Sequence, residues 1–239
     1  MANGSGSRGR GGAPRRGGPA RASSNKRPRP AAKAPREVPT PPPEPRDFRL
    51  GAVPGATPGK WIGVWRERLP HVTLLLEEIA VGSQREALDD VDAALVRLPL
   101  AASDDVHVIE LYEELPVVVV AAESHLTAAD ELTVADLAGE IVIVPADDVL
   151  RTEVPDAVAP AFAPPVDAAE AIATVAAGVG VVIVPMSLAR AHQRRDVDYR
   201  VLTDGPTSTV ALAWLRERTT EDVETFVGIV RGRTARSSR

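Results

Sequence analysis

The sequence predicts an α/β fold, and three observations carry that reading. Short apolar runs such as Val117–Val120, Ile141–Val144 and Val181–Val184 recur along the chain, as strands covered on both faces of a parallel sheet require. Segments with helical spacing lie between them. The starts of those segments carry capping chemistry, and the alternation of the two patterns is the mark of βαβ units.

In chain order, strands are expected at Phe48–Val53, Val72–Ile79, Asp92–Leu98, His107–Glu113, Pro116–Ala121, Glu140–Pro145, Gly180–Pro185, Asp198–Thr203 and Thr207–Leu215. The first helix should follow Thr57-Pro58, a capping hydroxyl before a proline at the first helical position. Ser83-x-x-Glu86, Thr133-x-x-Asp136 and Asp167-x-x-Glu170 have capping-box spacing. Thr219 with Asp222 opens a last helix whose apolar face is Val223, Phe226, Val227 and Val230. Gly178 and Gly180 stand between a helix and the strand after it, which suits a helix C-cap. A dinucleotide-binding turn needs the reverse order, strand, glycines and then helix.

The formal charge of -5 conceals an uneven distribution. Residues 1–49 hold 12 Lys and Arg against 3 Asp and Glu, and residues 231–239 hold 4 Arg and no acid, so the body between them is strongly acidic. Up to Pro45 there is no Ile, Leu or aromatic residue. Residues 1–47 are therefore expected to form a disordered, basic Pro/Gly/Arg-rich tail, with a second basic tail at 231–239. Clustered Arg and Lys contact phosphates without reading sequence, so the tails suggest non-specific nucleic-acid contact. No aromatic residue interleaves them, which argues against base stacking.

The absence of cysteine excludes disulfides, thiolate metal sites and a cysteine nucleophile. No apolar signal region follows the first basic residues, and no run of 18 apolar residues occurs. A cytoplasmic location without a membrane span is the expectation.

From about Phe48 to Val230, the order of elements and several motifs resemble the effector-binding (substrate-binding) domain of LysR-type transcriptional regulators. FRLGAV, followed by a helix ending WRERLPHVTLLLEE, resembles the opening strand, helix and second strand of that domain. ALDDVDAALVRLP resembles its helix, turn and third strand, and LYEELPVVVVAAESHLTA the strand that crosses into the second lobe. LTVADLAGE takes the place of the next helix. AIATVAAGVGVVIVPMSLA and YRVLTDGPTSTVALAW resemble the late helix–strand–helix and the return crossing.

The resemblance implies a two-lobed, periplasmic-binding-protein type II-like fold with a mixed sheet in each lobe. Lobe I would span about 48–117 and 207–230, and lobe II about 118–206. It also implies a homodimer and a small-molecule effector in the cleft between the lobes. Three departures stand out. The family's winged helix-turn-helix has no counterpart before Phe48, the first cleft loop VPGATPGKW is short, and Asp89-Asp90 occupies a turn where glycine is usual.

Ligands of open α/β sheets gather at the carboxyl ends of strands, against helix N-termini that favour anions. Two such starts are expected to face the cleft: Gly55, Ala56, Thr57 and Lys60 on one side, Val166, Asp167 and Ala168 on the other. By analogy with the family, Arg97, Leu98, Pro99, Val184 and Pro185 complete the lining. The implied effector is a carboxylate or another small anion. Arg97 has a competing use, as partner of a nearby carboxylate such as Asp92.

Catalysis finds no constellation. His71, His107, His125 and His192 make no metal-ligand pair, and Ser187 lacks the glycine context of a hydrolase elbow. Asp104-Asp105, Glu113-Glu114 and Asp147-Asp148 read as solvated turns or strand ends. No catalytic residue, metal or cofactor is expected. The leading expectation is a stand-alone sensor of a small anionic metabolite with a regulatory role. The alternative is a non-sensing dimerisation module whose basic tails hold nucleic acid or protein. An exported solute-binding protein ranks below both.

Overall fold

The computed structural model describes residues 44–100 and 104–232. The two basic tails, apart from residues 44–47 and 231–232, lie outside them. The described residues form two five-stranded mixed sheets with helices packed on them.

The first sheet comprises β1 (Arg46–Ala52), β2 (Val72–Glu78), β3 (Ala93–Arg97), β4 (Val106–Glu114) and β10 (Ser208–Leu215), in the order β2-β1-β3-β10-β4. β1 runs parallel to β2 and β3, and β10 runs antiparallel to β3 and β4. The second comprises β5 (Pro116–Ala121), β6 (Glu131–Leu132), β7 (Val142–Ile143), β8 (Val181–Pro185) and β9 (Val197–Leu202), in the order β6-β9-β5-β8-β7. Only Leu115 separates β4 from β5, and residues 203–207 return the chain from β9 to β10. Each sheet with its helices makes one lobe.

Why these residues form these strands is clearest in β5. Val117 and Val119 enter one apolar cluster with Ile172, Val175 and Val184, while Val118 and Val120 enter another with Leu137, Leu150 and Leu202. Both faces of the strand are covered, so the period-2 signal disappears and a continuous valine run results. The run was expected to mark parallel pairing. β5 is antiparallel to both neighbours, because burial on two faces, and not strand direction, selects the valines.

Helix α1 (Gly59–Arg68) buries Ile62 and Trp65 against β1, while α4 (Glu221–Val230) lays Val223, Phe226 and Ile229 on the same core. Phe48, Trp65 and Phe226 meet there with ring centroids 4.5 to 5.8 Å apart. Arg46 donates two 2.7 Å bonds to the Asp222 carboxylate and ties β1 to the start of α4. This places the fold's beginning at Arg46, two residues before the expected boundary at 48.

In the other lobe, α2 (Ala168–Ala176) and α3 (Met186–Ala191) cover one face of the second sheet. α2 ends in a Schellman motif: the Gly178 and Val179 N–H groups donate to the carbonyls of Val175 and Thr174. Gly178 has φ +84° and supplies the left-handed residue that the motif needs.

Several caps differ from expectation. Pro58, not Thr57, is the N-cap of α1, and no side chain caps that helix. Ser83 and Glu86 make no capping box, and their segment forms two short 3-10 turns. Thr133 and Asp136 do bond reciprocally, but over a single 3-10 turn at Val134–Leu137. Thr220 caps α4 because the Thr219 hydroxyl instead accepts the Trp214 indole N–H. The strand expected at Glu140–Pro145 is two residues long, and β6 was not anticipated.

The two glycines after α2 give a clean contrast. A Cβ on Gly180, which has φ +60°, would lie 2.2 Å from the Ile141 carbonyl oxygen, whereas one on Gly178 meets nothing within 4 Å. Gly178→Ala should therefore cost about 1 kcal/mol, the strain of a left-handed non-glycine residue. Gly180→Ala should cost more than twice that, read as urea midpoints at unchanged m-value.

Candidate functional site

The strand directions bring the carboxyl ends of β1, β2, β3 and β4 and the start of β10 to one edge of the first sheet, facing the second lobe. Arg97 is the last residue of β3, Glu114 the last of β4, and Ser208, the first of β10, is paired with Glu114. That register assembles a buried polar cluster. The Arg97 Nη1–H donates to Glu114 Oε2 at 2.8 Å and to Ser208 Oγ at 2.9 Å. Its Nη2–H donates to Ser187 Oγ at 3.0 Å and to the Pro54 carbonyl at 3.2 Å. The Ser187 hydroxyl donates onward to Glu114 Oε2 at 2.8 Å. Gln84 clamps the Arg97 backbone, accepting from its N–H and donating to its carbonyl.

Arg97 is 1% exposed and the Glu114 side chain 9%, so this ion pair is shut away from water. The cluster around it spans both lobes, because Ser187 belongs to α3 while Arg97, Glu114 and Ser208 belong to the first sheet. Gly55 completes the contact. At φ +83° its missing Cβ would sit 2.5 Å from Ser187 Oγ and 3.0 Å from Arg97 Nη2. Glycine is needed here so that the loop after β1 can approach the second lobe.

Two cavities lie on the lobe boundary. The first, of about 540 Å³, is walled by Val81–Glu86 and Arg97–Leu100 from one lobe, by Ala146–Arg151 from the other, and by Thr207 on the return crossing. The second, of about 790 Å³, lies among Gly55–Thr57, Tyr112–Leu115 and the α3 residues Met186, Ser187, Arg190 and Ala191. Both volumes fall in the range of small-molecule sites. In the second, Ser187, Glu114 and Arg190 already have partners. The Tyr112 hydroxyl lies by the Thr57 N–H, and Arg190 donates to the Tyr199 hydroxyl. Burial pushes the Tyr112 hydroxyl up, with Glu114 adding to the effect.

The first cavity is different. Asp147 lies by the Ala168 N–H at the start of α2, and its Oδ1 is buried without a hydrogen-bond partner among the described residues. Burial raises its pKa, and the Asp167 and Asp148 carboxylates add to the rise. Asp148 turns its oxygens to the Leu150 and Arg151 N–H groups. Arg151 holds φ +49°, and no ion pair engages its side chain among the described residues.

The residues picked from sequence scatter over this landscape. Gly55, Ala56 and Thr57 line the larger cavity, and Arg97, Leu98 and Pro99 the smaller. Lys60 is exposed and lines neither. Val166, Asp167 and Ala168 also line neither, and the α2 start is closed by the chain's own carboxylates, with Asp167 accepting the Glu170 N–H. Val184 and Pro185 are buried in the second lobe.

Arg97 pairs with Glu114, not Asp92, which instead accepts the Arg49 N–H. Glu114 thus overturns the expectation that Glu113-Glu114 is a solvated strand end. An arginine ending the buried strand AALVR demands a counter-charge, and that was the available signal.

Two outcomes test this assignment. Removing one partner leaves the other charge buried, so Glu114→Ala should cost about 3–5 kcal/mol in urea unfolding, whereas Arg97→Met with Glu114→Leu together should cost far less. Equal losses in the single and double variants would refute the ion-pair account. Asp147 has a raised pKa in the fold, so its ionised form lowers stability at neutral pH. Asp147→Asn should raise Tm at pH 7, and the gain should shrink as pH falls through the raised value toward about 4, where the unfolded carboxyl is protonated.

A family model described as the LysR substrate binding domain matches residues 43–235. Among solved structures, the reduced OxyR regulatory domain from Pseudomonas aeruginosa superposes with a TM-score of 0.61 at 21% identity, over 78% of this chain and 97% of that one. The BenM effector-binding domain with its effector benzoate gives 0.65 at 20%, over 82% and 95%. Full-length BenM gives 0.63 at 21%, over 80% of this chain and 68% of that one. A comparison with curated proteins finds no match. The structural likenesses establish the fold, and the family match covers most of the sequence. The chain belongs to the LysR substrate-binding domain family.

Proposed function

We propose that this chain is a sensor that takes a small carboxylate-bearing metabolite into the 540 Å³ cavity between its lobes and acts in regulation. The observation that carries this reading is the cavity's construction. Its walls come from both lobes, so an occupant contacts two bodies at once and favours one arrangement of them. Leu98 and Pro99 supply apolar wall from the first lobe, and Ala146–Arg151 supply a polar loop from the second. The larger cavity supports the reading less well because Arg190, Ser187 and Glu114 have internal partners.

Family membership supports a regulatory role and assembly as a homodimer in the cytoplasm. The exposed Leu75 and Leu76 on the edge strand β2 offer apolar surface for such pairing. Among the described residues no helix is long and apolar enough to cross a membrane. The basic tails add a second means of contact, with nucleic acid, whose strength would fall steeply with salt. Tail contact and ligand sensing separate on deletion of residues 1–45, which should remove salt-dependent DNA retention and leave ligand binding intact.

Thermal-shift screening against carboxylates and amino acids tests the sensor reading. A binder at about 100 times its Kd should stabilise the fold by about 2.7 kcal/mol. Ala146→Trp fills the cavity from an exposed position, so it should abolish that shift while moving the unliganded midpoint by less than about 1 kcal/mol. A ligand shift unaffected by Ala146→Trp would place the site elsewhere, and a panel without any binder would end the sensor reading.

A further inference from the structure

Three buried side-chain polar atoms lack a hydrogen-bond partner among the described residues: Arg97 Nε, Asp147 Oδ1 and Thr152 Oγ1. Two of them belong to residues that line the 540 Å³ cavity, one from each lobe. Their chemistry is opposite, since Arg97 Nε–H is a donor on a cation and Asp147 Oδ1 an acceptor on an anion. Such orphans cost free energy in a finished fold, and a ligand that satisfies them recovers it.

The remaining charges sharpen the point. Arg85 is held by Asp105, and the Arg97 Nη atoms are held by Glu114, Ser187, Ser208 and Pro54. Asp148 is committed to backbone N–H groups. Among the described residues, Asp147 and Arg151, four residues apart on one loop, are left with no ionic partner, as is the exposed Glu86 on the facing wall. A plain anion would meet Arg151 but face the Asp147 carboxylate, and a plain cation would meet Asp147 but face the guanidinium groups of Arg85, Arg97 and Arg151.

We propose that the cavity recognises a small zwitterion of the α-amino-acid class, its ammonium group held by Asp147 and its carboxylate by Arg151 with the Arg97 Nε–H behind it. This rests on the cavity being the effector site. Asp147 Oδ1 is closed off from water in this form, so the Asp147 side chain turns toward the cavity as the ligand seats, while Arg97 keeps its Nη bonds and adds its charge from behind.

Calorimetry of the full chain with each proteinogenic L-amino acid tests it, followed by the deaminated acid and the decarboxylated amine of any that binds. An amino acid should bind, and removing either charged group should weaken binding by about tenfold or more. Asp147→Asn should weaken the amino acid but not its deaminated acid, and Arg151→Gln should weaken the amino acid but not its decarboxylated amine. Neither residue is in the core, and circular dichroism confirms that each variant is folded. A deaminated acid that binds as tightly as its amino acid, or an amino acid affinity unchanged by Asp147→Asn, overturns the zwitterion and leaves the cavity as a carboxylate sensor. If neither these compounds nor the broader metabolite panel binds, both readings fall together.

Discussion

The buried contact between Arg97 and Glu114 is the constraint on which the rest of this structure depends. It joins the last residues of β3 and β4 to the first of β10, to the loop after β1 and to the first turn of α3. A charge pair with 1% and 9% side-chain exposure survives only if its other hydrogen-bonding positions are filled. Ser187, Ser208 and the Pro54 carbonyl do most of that filling. Gly55 is fixed by the same demand, since a side chain there would push Ser187 off Arg97. The cluster therefore dictates residue types in five separate segments and holds the two lobes at a defined approach. It also separates the two cavities, because Arg97 borders one and Ser187 and Glu114 border the other.

Much of the fold was legible because it rests on patterns that one sequence displays in full. The valine runs of β5 and β8 report two-sided burial, and Asp167 marks the start of α2. Thr57 and Ser83 were misread because a hydroxyl near a helix start caps only if its backbone is extended at the right residue, which tertiary contacts decide. Thr219 shows the competition directly, as its hydroxyl is taken by Trp214 and the cap passes to Thr220.

The site was less legible for a different reason. A wall is made by residues far apart in the chain, and whether a charge is free depends on partners that register brings in. Arg97 looks like a ligand-binding cation until β10 sets Glu114 beside it, 17 residues on. Asp147 looks like a solvated turn until the loop folds it against the start of α2. The local rule that a helix start attracts anions holds here, but the chain supplies the anion itself.

The brevity of the two crossings sets how motion spreads through the molecule. With one residue between β4 and β5 and five between β9 and β10, relative movement of the lobes reduces to rotation about a line through those joints. Glu114 and Ser208 are paired on neighbouring strands, so that line runs across the carboxyl edge of the first sheet, and Leu215 at the other end of β10 lies about 23 Å from it at the usual rise per residue. A rotation of about 10° would then carry that far end by roughly 4 Å while hardly disturbing the residues at the ion pair. The sheet acts as a lever, with its fulcrum at the buried ion pair and its free end at the opposite edge, where β1, β2 and β3 begin and β10 ends.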